Sequence, residues 1–141
     1  MVKPSFLLTT LFASLILVTL VGSANAQREY YLEHEWAKIW INQNGSIDLF
    51  YDISITLDSG SAINFVWLGQ PQGDFTIGEA IDQYGHMLQA TDDSSGSDYR
   101  VRVDLFTPLV AGQTVRFNLT TNVARMIYED TTNPGNVGMK F

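Results

Sequence analysis

The sequence predicts an all-β fold: a single antiparallel β-sandwich of about seven short strands, immunoglobulin-like or similar, after an N-terminal signal helix. Three observations predict it. Apolar and polar residues alternate with the period of two that a half-buried strand requires. Turn-forming residues separate these segments at intervals of about 8–12 residues. Beyond residues 1–26, no segment has the 3.6-residue period of a helix.

Residues 1–26 have the three parts of a secretory signal peptide. Lys3 supplies the positive charge, residues 6–21 are apolar, and Ala24-Asn25-Ala26 is a cleavage site of small residues. The apolar run is shorter than the roughly 20 residues that cross a bilayer. We therefore expect cleavage after Ala26 and a β-sandwich domain over residues 27–141 that is secreted or held at the cell surface. Membrane attachment would require an uncleaved signal or a downstream anchor.

The composition narrows the classes of partner. Fifteen acidic residues against eight Lys and Arg give a net charge of −7. Such a surface repels phosphate backbones, so we expect no nucleic-acid partner. The chain has no cysteine, which excludes disulfides, thiol nucleophiles and thiolate metal sites.

The most regular alternation extends over residues 46–58. We expect its odd positions to face the core and its even positions to face mostly water; the odd positions are Ile47, Leu49, Tyr51, Ile53, Ile55 and Leu57. Asn44-Gly45 precedes this segment, and that dipeptide readily takes positive φ at both positions of a tight hairpin turn. We therefore predict that residues 30–41 and 46–57 form an antiparallel pair.

The remaining strands are shorter. A turn centred on Gly60 is followed by predicted strands over residues 62–68 and 75–80, and Gly85 indicates a turn within residues 81–90. Residues 91–98 form a polar loop, after which residues 99–105 and 114–123 alternate again. At the C-terminus Val137, Met139 and Phe141 alternate, so either the last strand docks into the sheet or the chain leads into a longer protein.

The sequence contains no catalytic constellation, and we expect neither an enzyme nor a cofactor. His34-Glu35-Trp36-Ala37-Lys38 approaches the zinc-protease pattern H-E-x-x-H, but Lys38 replaces the second ligand and the segment is a predicted strand. His86 is expected at the surface or capping a turn. Asp48 and Asp52 share a strand face that we expect to be exposed, unlike the enclosed carboxylate pair of a glycosidase.

Two further motifs predict a calcium site and glycosylation sites. Asp92, Ser94 and Asp98 place hard oxygen ligands at spacings from which a calcium ion could be bound; the alternative is a flexible, solvated hairpin loop. Asn44-Gly45-Ser46 and Asn118-Leu119-Thr120 are glycosylation sequons. Of the two asparagines, Asn44 lies in a predicted exposed turn and Asn118 in the middle of a strand.

Aromatic residues are dense in the first hairpin. Tyr30, Trp36 and Trp40 share one parity, opposite to Ile39, and Phe50 interrupts the polar face of the next strand. Together they predict an exposed aromatic patch for a glycan or protein partner, unless a second sheet or an adjoining domain covers it.

The run Pro108-Leu109-Val110-Ala111-Gly112-Gln113-Thr114, between two predicted strands, resembles a corner of the N-terminal β-sandwich of zinc aminopeptidases. The chain is also similar to β domains of uncharacterised prokaryotic membrane and envelope proteins. Its segment Asn44-Gly45-Ser46 fits the first hairpin of such domains. The resemblance implies the fold and a leading-domain role. In the aminopeptidases this sandwich is not catalytic, and the zinc domain that follows it has no counterpart here.

Three functions follow in order of preference. The first is an exported, non-enzymatic module for binding, spacing or assembly at the cell surface. The second is the non-catalytic N-terminal domain of a truncated peptidase-like enzyme. The third is a small outer-membrane barrel, which the C-terminal Phe141 favours and Pro134 in the last predicted strand disfavours.

Overall fold

A computed structural model describes residues 27–139, and every regular element in that range is a β-strand. The predicted signal peptide and Phe141 lie outside the described residues. The strands are β1 (Glu29–Ile41), β2 (Ile47–Ser59), β3 (Ile63–Gly69), β4 (Phe75–Asp82), β5 (Gln89–Asp92), β6 (Arg100–Leu109), β7 (Gln113–Val123), β8 (Ile127–Glu129) and β9 (Val137–Met139). Within residues 27–139 there is no helix long and apolar enough to cross a membrane.

The strands form two main sheets and one small hairpin. The four-stranded sheet has the order β1-β2-β7-β4, the three-stranded sheet has the order β3-β6-β5, and β8 pairs with β9. All pairings are antiparallel. The all-β sandwich is thus confirmed. The strand order differs from that of a constant-type immunoglobulin domain. Here β7 lies where that domain has its fifth strand, and β5 lies where it has its seventh.

The core lies between the two main sheets, as the alternation predicted. All six odd positions of β2 named above are buried. Phe117 and Leu119 of β7 lie beside them, and Val101 and Val103 of β6 face them from the other sheet; none of these four is more than 1% exposed.

The opposite side of β2 differs from the prediction. We expected its even positions to meet mostly water, but Asp52, Ser54 and Thr56 are buried. β2 is an interior strand, so side chains from β1 and β7 cover these polar groups. Thr56, for example, hydrogen-bonds to Glu33 of β1 and to Thr114 of β7.

The first hairpin forms at the predicted dipeptide but with a wider turn. Gly45 has a φ of 79°, whereas Asn44 does not have a positive φ. Gly45 N–H donates to Asn42 O and Asn42 N–H donates to Ser46 O. This is a β-turn followed by a left-handed glycine, so the prediction of positive φ at both positions was wrong.

A β-bulge in β1 changes which aromatic residues share a face. Leu32 pairs with Ile55 and His34 with Ser54, so Glu33 is an extra residue. Tyr30 therefore aligns with the inward-facing positions of β2, whereas Trp36 and Trp40 align with the outward-facing ones. The prediction that Tyr30 belongs to one patch with the two tryptophans was wrong, because the bulge reverses the alternation between them.

The C-terminal segment stands apart from the two main sheets. β9 pairs with β8, and Val137 is 69% exposed. Within the described residues, β9 does not join a main sheet, which was one of the two alternatives for the last strand.

Candidate functional site

The outer face is the side of the four-stranded sheet that points away from the three-stranded sheet. Trp36 and Trp40 of β1 stand on it, opposite Asp52 and Asp48 of β2 in the strand register. Phe50 lies between the two aspartates and separates two grooves. The face therefore combines aromatic side chains with a polar floor.

The first groove has a volume of about 330 Å³ and is bordered by Trp36, Lys38 and Phe50. Asp52 and Arg116 lie in its floor. Arg116 Nε donates to Asp52 Oδ1 at 2.8 Å, and its Nη2 donates to the other carboxylate oxygen. The ring of His34 adds a third contact, with Nε2 3.5 Å from Asp52 Oδ2.

Asp52 is held as a carboxylate. The hydrogen bond from Arg116 lowers the pKa of Asp52, and the positive charge of Arg116 and the neighbouring His34 ring act in the same direction, against the opposing effect of burial. Asp52 is only 5% exposed, whereas the Arg116 side chain is 56% exposed. The guanidinium thus covers the carboxylate and is itself exposed in this groove.

The second groove has a volume of about 360 Å³ and is bordered by Trp40, Phe50 and Thr76. Asn122 Nδ2 donates to Asp48 Oδ1 at 2.6 Å, and the Asn42 amide donates to the other oxygen at 3.0 Å. These two bonds lower the pKa of Asp48, that from Asn122 most strongly. A carboxylate and amides therefore line the floor beside an aromatic wall.

The two tryptophans differ in how free their rings are. The Lys38 ammonium lies 4.2 Å from the centroid of the Trp36 ring, a cation–π contact. Trp40 is 50% exposed, and within residues 27–139 neither a ring nor a cation stacks on it. Trp40 thus offers an open aromatic surface.

The three-stranded sheet carries aromatic residues of a different character. Arg100 lies 4.5 Å from the centroid of Trp67, and Arg102 lies 4.1 Å from that of Phe65. Trp67 also donates its indole N–H to Asp93 at 2.7 Å. These rings already have intramolecular partners, which makes Trp67 a useful comparison for Trp40.

A separate cleft of about 350 Å³ lies near the turn that joins β4 to β5. His86 Nδ1 is 2.8 Å from Asp82 Oδ2, and the His86 ring stacks on Phe106 at 3.9 Å between centroids. Asp82 Oδ1 also accepts the N–H groups of Tyr84 and His86. The arrangement closes the turn around Gly85, in line with the expectation for His86.

The structure places the three predicted calcium ligands at the β5–β6 connection. Asp92 belongs to β5 rather than to the loop, and its Oδ1 accepts hydrogen bonds from the backbone and hydroxyl of Ser94. Asp98 forms an ion pair with Arg100 at 2.8 Å. In the described part of the chain, no group of three His, Cys, Asp or Glu side chains is arranged to hold a metal. Calcium binding by Asp92, Ser94 and Asp98 stays a prediction.

The two sequons lie in different surroundings. Asn44 is exposed in the first hairpin, although its Oδ1 accepts bonds from the backbone and hydroxyl of Ser46. Asn118 is half-buried on the interior strand β7, within the first groove. Glycosylation of Asn44 and Asn118 stays a prediction.

Sequence reasoning identified the aromatic residues of the outer face but missed its polar floor. Arg116 and Asn122 are the residues that complete it, and both occupy even positions of β7. The alternation in β7 was visible, but its outward residues were not connected with Asp48 and Asp52. Only the pairing of β2 with β7 brings them together.

These observations define the chain between residues 27 and 139 as an antiparallel β-sandwich domain with an aromatic, polar-floored outer face. No protein-family profile and no curated protein matches it. Eleven chains among the solved structures do. One is a two-domain M1 zinc metallopeptidase mutant bound to L-tryptophan, with a TM-score of 0.53 and 16% identity over 75% of this chain and 23% of that one.

A second match is a mutant M1 zinc metallopeptidase from Deinococcus radiodurans bound to a Tyr-Ser-Ala substrate. The TM-score is 0.49 and the identity 18%, over 81% of this chain and 24% of the other. The chain therefore spans less than a quarter of the length of either metallopeptidase. The similarity to the two-domain metallopeptidase, at a TM-score of 0.53, shows a related fold. The resemblance to zinc aminopeptidases is therefore confirmed at the level of the fold.

Proposed function

We propose that the chain is an exported, non-enzymatic binding module and that its outer face takes a neutral glycan. The observation that carries the proposal is the pair of grooves beside Trp36 and Trp40, each with a carboxylate in its floor. An aromatic ring can stack on the apolar face of a sugar, while carboxylate, amide and guanidinium groups bond its hydroxyls. A shallow face of this kind suits an extended ligand.

Charge supports a neutral ligand over an anionic one. The protein carries a net charge of −7, and Asp48 and Asp52 both lie in the floor. A polyanion would be repelled by this surface. The signal-like features of residues 1–26 support an extracytoplasmic location, where polysaccharides are accessible.

Affinity electrophoresis tests the proposal. The purified protein is run through gels containing hydroxyethylcellulose, mannan or glycol chitin, and at least one of these is expected to retard it. Trp40→Ala is expected to abolish the retardation. Trp67→Ala is the matched control, because Trp67 is 49% exposed on the other sheet and its variant should bind as the wild type does.

Two outcomes would contradict the glycan proposal. Wild-type mobility that none of the three polysaccharides changes would exclude the ligand class. Equal loss of binding in the Trp40→Ala and Trp67→Ala variants would show that the outer face is not the binding surface.

A second candidate function is the leading, non-catalytic domain of a peptidase-like enzyme. The similarity to a two-domain M1 zinc metallopeptidase favours it, since that match covers 75% of this chain but 23% of the other. Genomic sequence decides between the two: this alternative requires an in-frame downstream region that encodes H-E-x-x-H on a predicted helix. A stop codon directly after Phe141 would contradict it.

A further inference from the structure

Four side chains of the second groove form a straight row across the four-stranded sheet. Each is the partner of the next in the strand register, and from β1 to β4 they are Trp40, Asp48, Asn122 and Thr76. All four line the groove. Directly opposed residues of neighbouring strands lie on the same face of a sheet. This set, the Trp40 row, therefore presents an indole ring, a carboxylate, an amide and a hydroxyl in that order.

The length of the Trp40 row follows from the spacing of the strands. Neighbouring strands lie about 4.8 Å apart, so the row extends over about 14 Å from β1 to β4. An extended β-1,4-linked glycan advances by about 5 Å per sugar, which is close to this strand spacing. A chain that crosses the strands would thus place about one sugar over each successive strand. A coiled α-1,4-glucan does not follow a straight line of this kind.

The floor of the Trp40 row is rich in hydrogen-bond acceptors. Each oxygen of Asp48 accepts one amide bond, from Asn122 at 2.6 Å and from Asn42 at 3.0 Å. The Asn122 amide also donates to Ser46 Oγ at 3.3 Å. The amide hydrogens of Asn122 are therefore engaged, while its carbonyl oxygen and the remaining lone pairs of the carboxylate are acceptors. Sugar hydroxyls are donors, so this floor suits a ligand that carries many of them.

A ridge separates the Trp40 row from the first groove. Lys38, Phe50 and Thr120 are paired across three strands between the two grooves, and the Lys38 ammonium lies 5.9 Å from the centroid of the Phe50 ring. A chain parallel to the strands would have to pass over this ridge to reach Trp36, about 13 Å from Trp40 along β1. A chain across the strands follows the groove instead. The ridge therefore favours the crossing direction.

The first groove offers a less suitable row. The strand pairings that start at Trp36 lead through Asp52 and end at the apolar Ile81. The Lys38 ammonium lies 4.2 Å from the centroid of the Trp36 ring, and Arg116 bonds to the Asp52 carboxylate. The aromatic ring and the carboxylate of this groove thus already have intramolecular partners.

We propose that the Trp40 row binds a neutral β-1,4-linked glycan whose chain crosses the strands, with one sugar stacked on Trp40 and the chain directed towards Thr76. This inference rests on the proposed glycan binding and adds the linkage, the direction and the length of the bound segment. One chain occupies the face, and about three to four sugars fill the site.

The length of the bound segment is tested on the wild type alone. Calorimetric titration uses cello-, manno- and chito-oligosaccharides of two, four and six sugars, and malto-oligosaccharides as the α-1,4-linked control. For at least one β-linked series, affinity is expected to rise about tenfold or more from two to four sugars and to change less than about twofold from four to six. The expected stoichiometry is one. Equal affinity for two and four sugars, a further tenfold rise at six, or equal binding of the malto series overturns the proposal.

The direction of the chain is tested by variants, with the tetrasaccharide that binds best as the probe. Trp36→Ala is the matched control for Trp40→Ala, because the two rings share a strand and a face and are 48% and 50% exposed. Trp40→Ala is expected to lose binding, and Trp36→Ala to stay within about twofold of the wild type. Thr76→Val removes one hydroxyl and is expected to weaken tetrasaccharide binding about three- to tenfold while leaving the disaccharide unaffected. Equal losses in the two tryptophan variants would show a chain along β1.

Failure of this inference is distinguishable from failure of the proposed function. A wild type that binds none of the polysaccharides contradicts both. Binding that depends equally on Trp36 and Trp40, or that strengthens up to six sugars, leaves glycan binding intact and overturns only the crossing direction. Circular dichroism checks that each variant is folded; if one is not, the oligosaccharide series on the wild type decides.

Discussion

Arg116 of β7 covers the carboxylate of Asp52 on the neighbouring strand β2, through two hydrogen bonds to its two oxygens. Both strands are interior to the four-stranded sheet, so this ion pair lies in the middle of the outer face. It explains why Asp52 is buried on the side of β2 that faces away from the core.

This pair leads to a prediction about stability. Asp52→Asn is expected to lower the free energy of unfolding by about 1–2 kcal/mol, since the charge-assisted bonds are weakened in a partly screened position. Arg116→Met is expected to destabilise the protein more than it does in an Asp52→Asn background, because it leaves the carboxylate without its partner. Urea unfolding of the wild type, the two single variants and the double variant measures the coupling. Strictly additive effects would contradict it.

The same pair predicts the acid dependence of folding. The pKa of Asp52 is lower in the folded protein, chiefly because of the bond from Arg116. Its contribution is therefore fully present above the unfolded pKa of about 3.9 and is lost as the pH falls through the lower, folded value. The melting temperature of the wild type is expected to fall below about pH 4, and Asp52→Asn to show a smaller fall. Parallel pH profiles of the two proteins would argue against this assignment.

Phe117 is expected to be one of the most sensitive core positions. It is 1% exposed on β7, so Phe117→Ala is expected to cost about 3–5 kcal/mol. Phe106→Ala is the matched control. Phe106 is 64% exposed and stacks on His86, so its removal is expected to cost about 1 kcal/mol or less. Urea unfolding measures both variants, and similar losses would contradict the placement of Phe117.

Gly60 is expected to resist substitution. Its φ is 101°, and a Cβ atom there would lie 2.8 Å from the Cα atom of Arg28. Gly60→Ala is expected to cost about 1–3 kcal/mol, from backbone strain and from this contact. Gly69→Ala is the control, because Gly69 has no positive φ and no atom within 4 Å of the added Cβ; its change is expected within about 0.5 kcal/mol. Equal melting temperatures of the two variants would contradict the described turn.

Calcium binding at Asp92, Ser94 and Asp98 is tested by thermal unfolding. A ligand that binds the folded protein raises its melting temperature, so added Ca²⁺ is expected to raise it and EDTA to reverse the change. Asp98→Ala removes one predicted ligand and is expected to abolish the response. A wild-type melting temperature that neither Ca²⁺ nor EDTA moves ends the prediction.

Sequence patterns predicted those strands in which the residues of the strand itself determine which side is buried. In β2 the odd positions are apolar without interruption, and they enter the core whichever strands lie beside them. Sequence predicted neither β5 nor β8, and it did not predict that the last strand, β9, pairs with β8. These strands have three or four residues each, too few for alternation to separate a strand from a loop.

The sequence by itself determined the fold class, the core-facing positions of β2 and the hairpin at Gly45, because alternation and a left-handed glycine act over a few neighbouring residues. Only the tertiary structure decided that Asn122 bonds to Asp48 and Arg116 to Asp52, because both partners lie on β7, more than 60 residues further along the chain. It also decided that β1 lies uncovered at a sheet edge. Strand order depends on how two sheets share one core, and no local pattern in β1 records which strands will lie beside it.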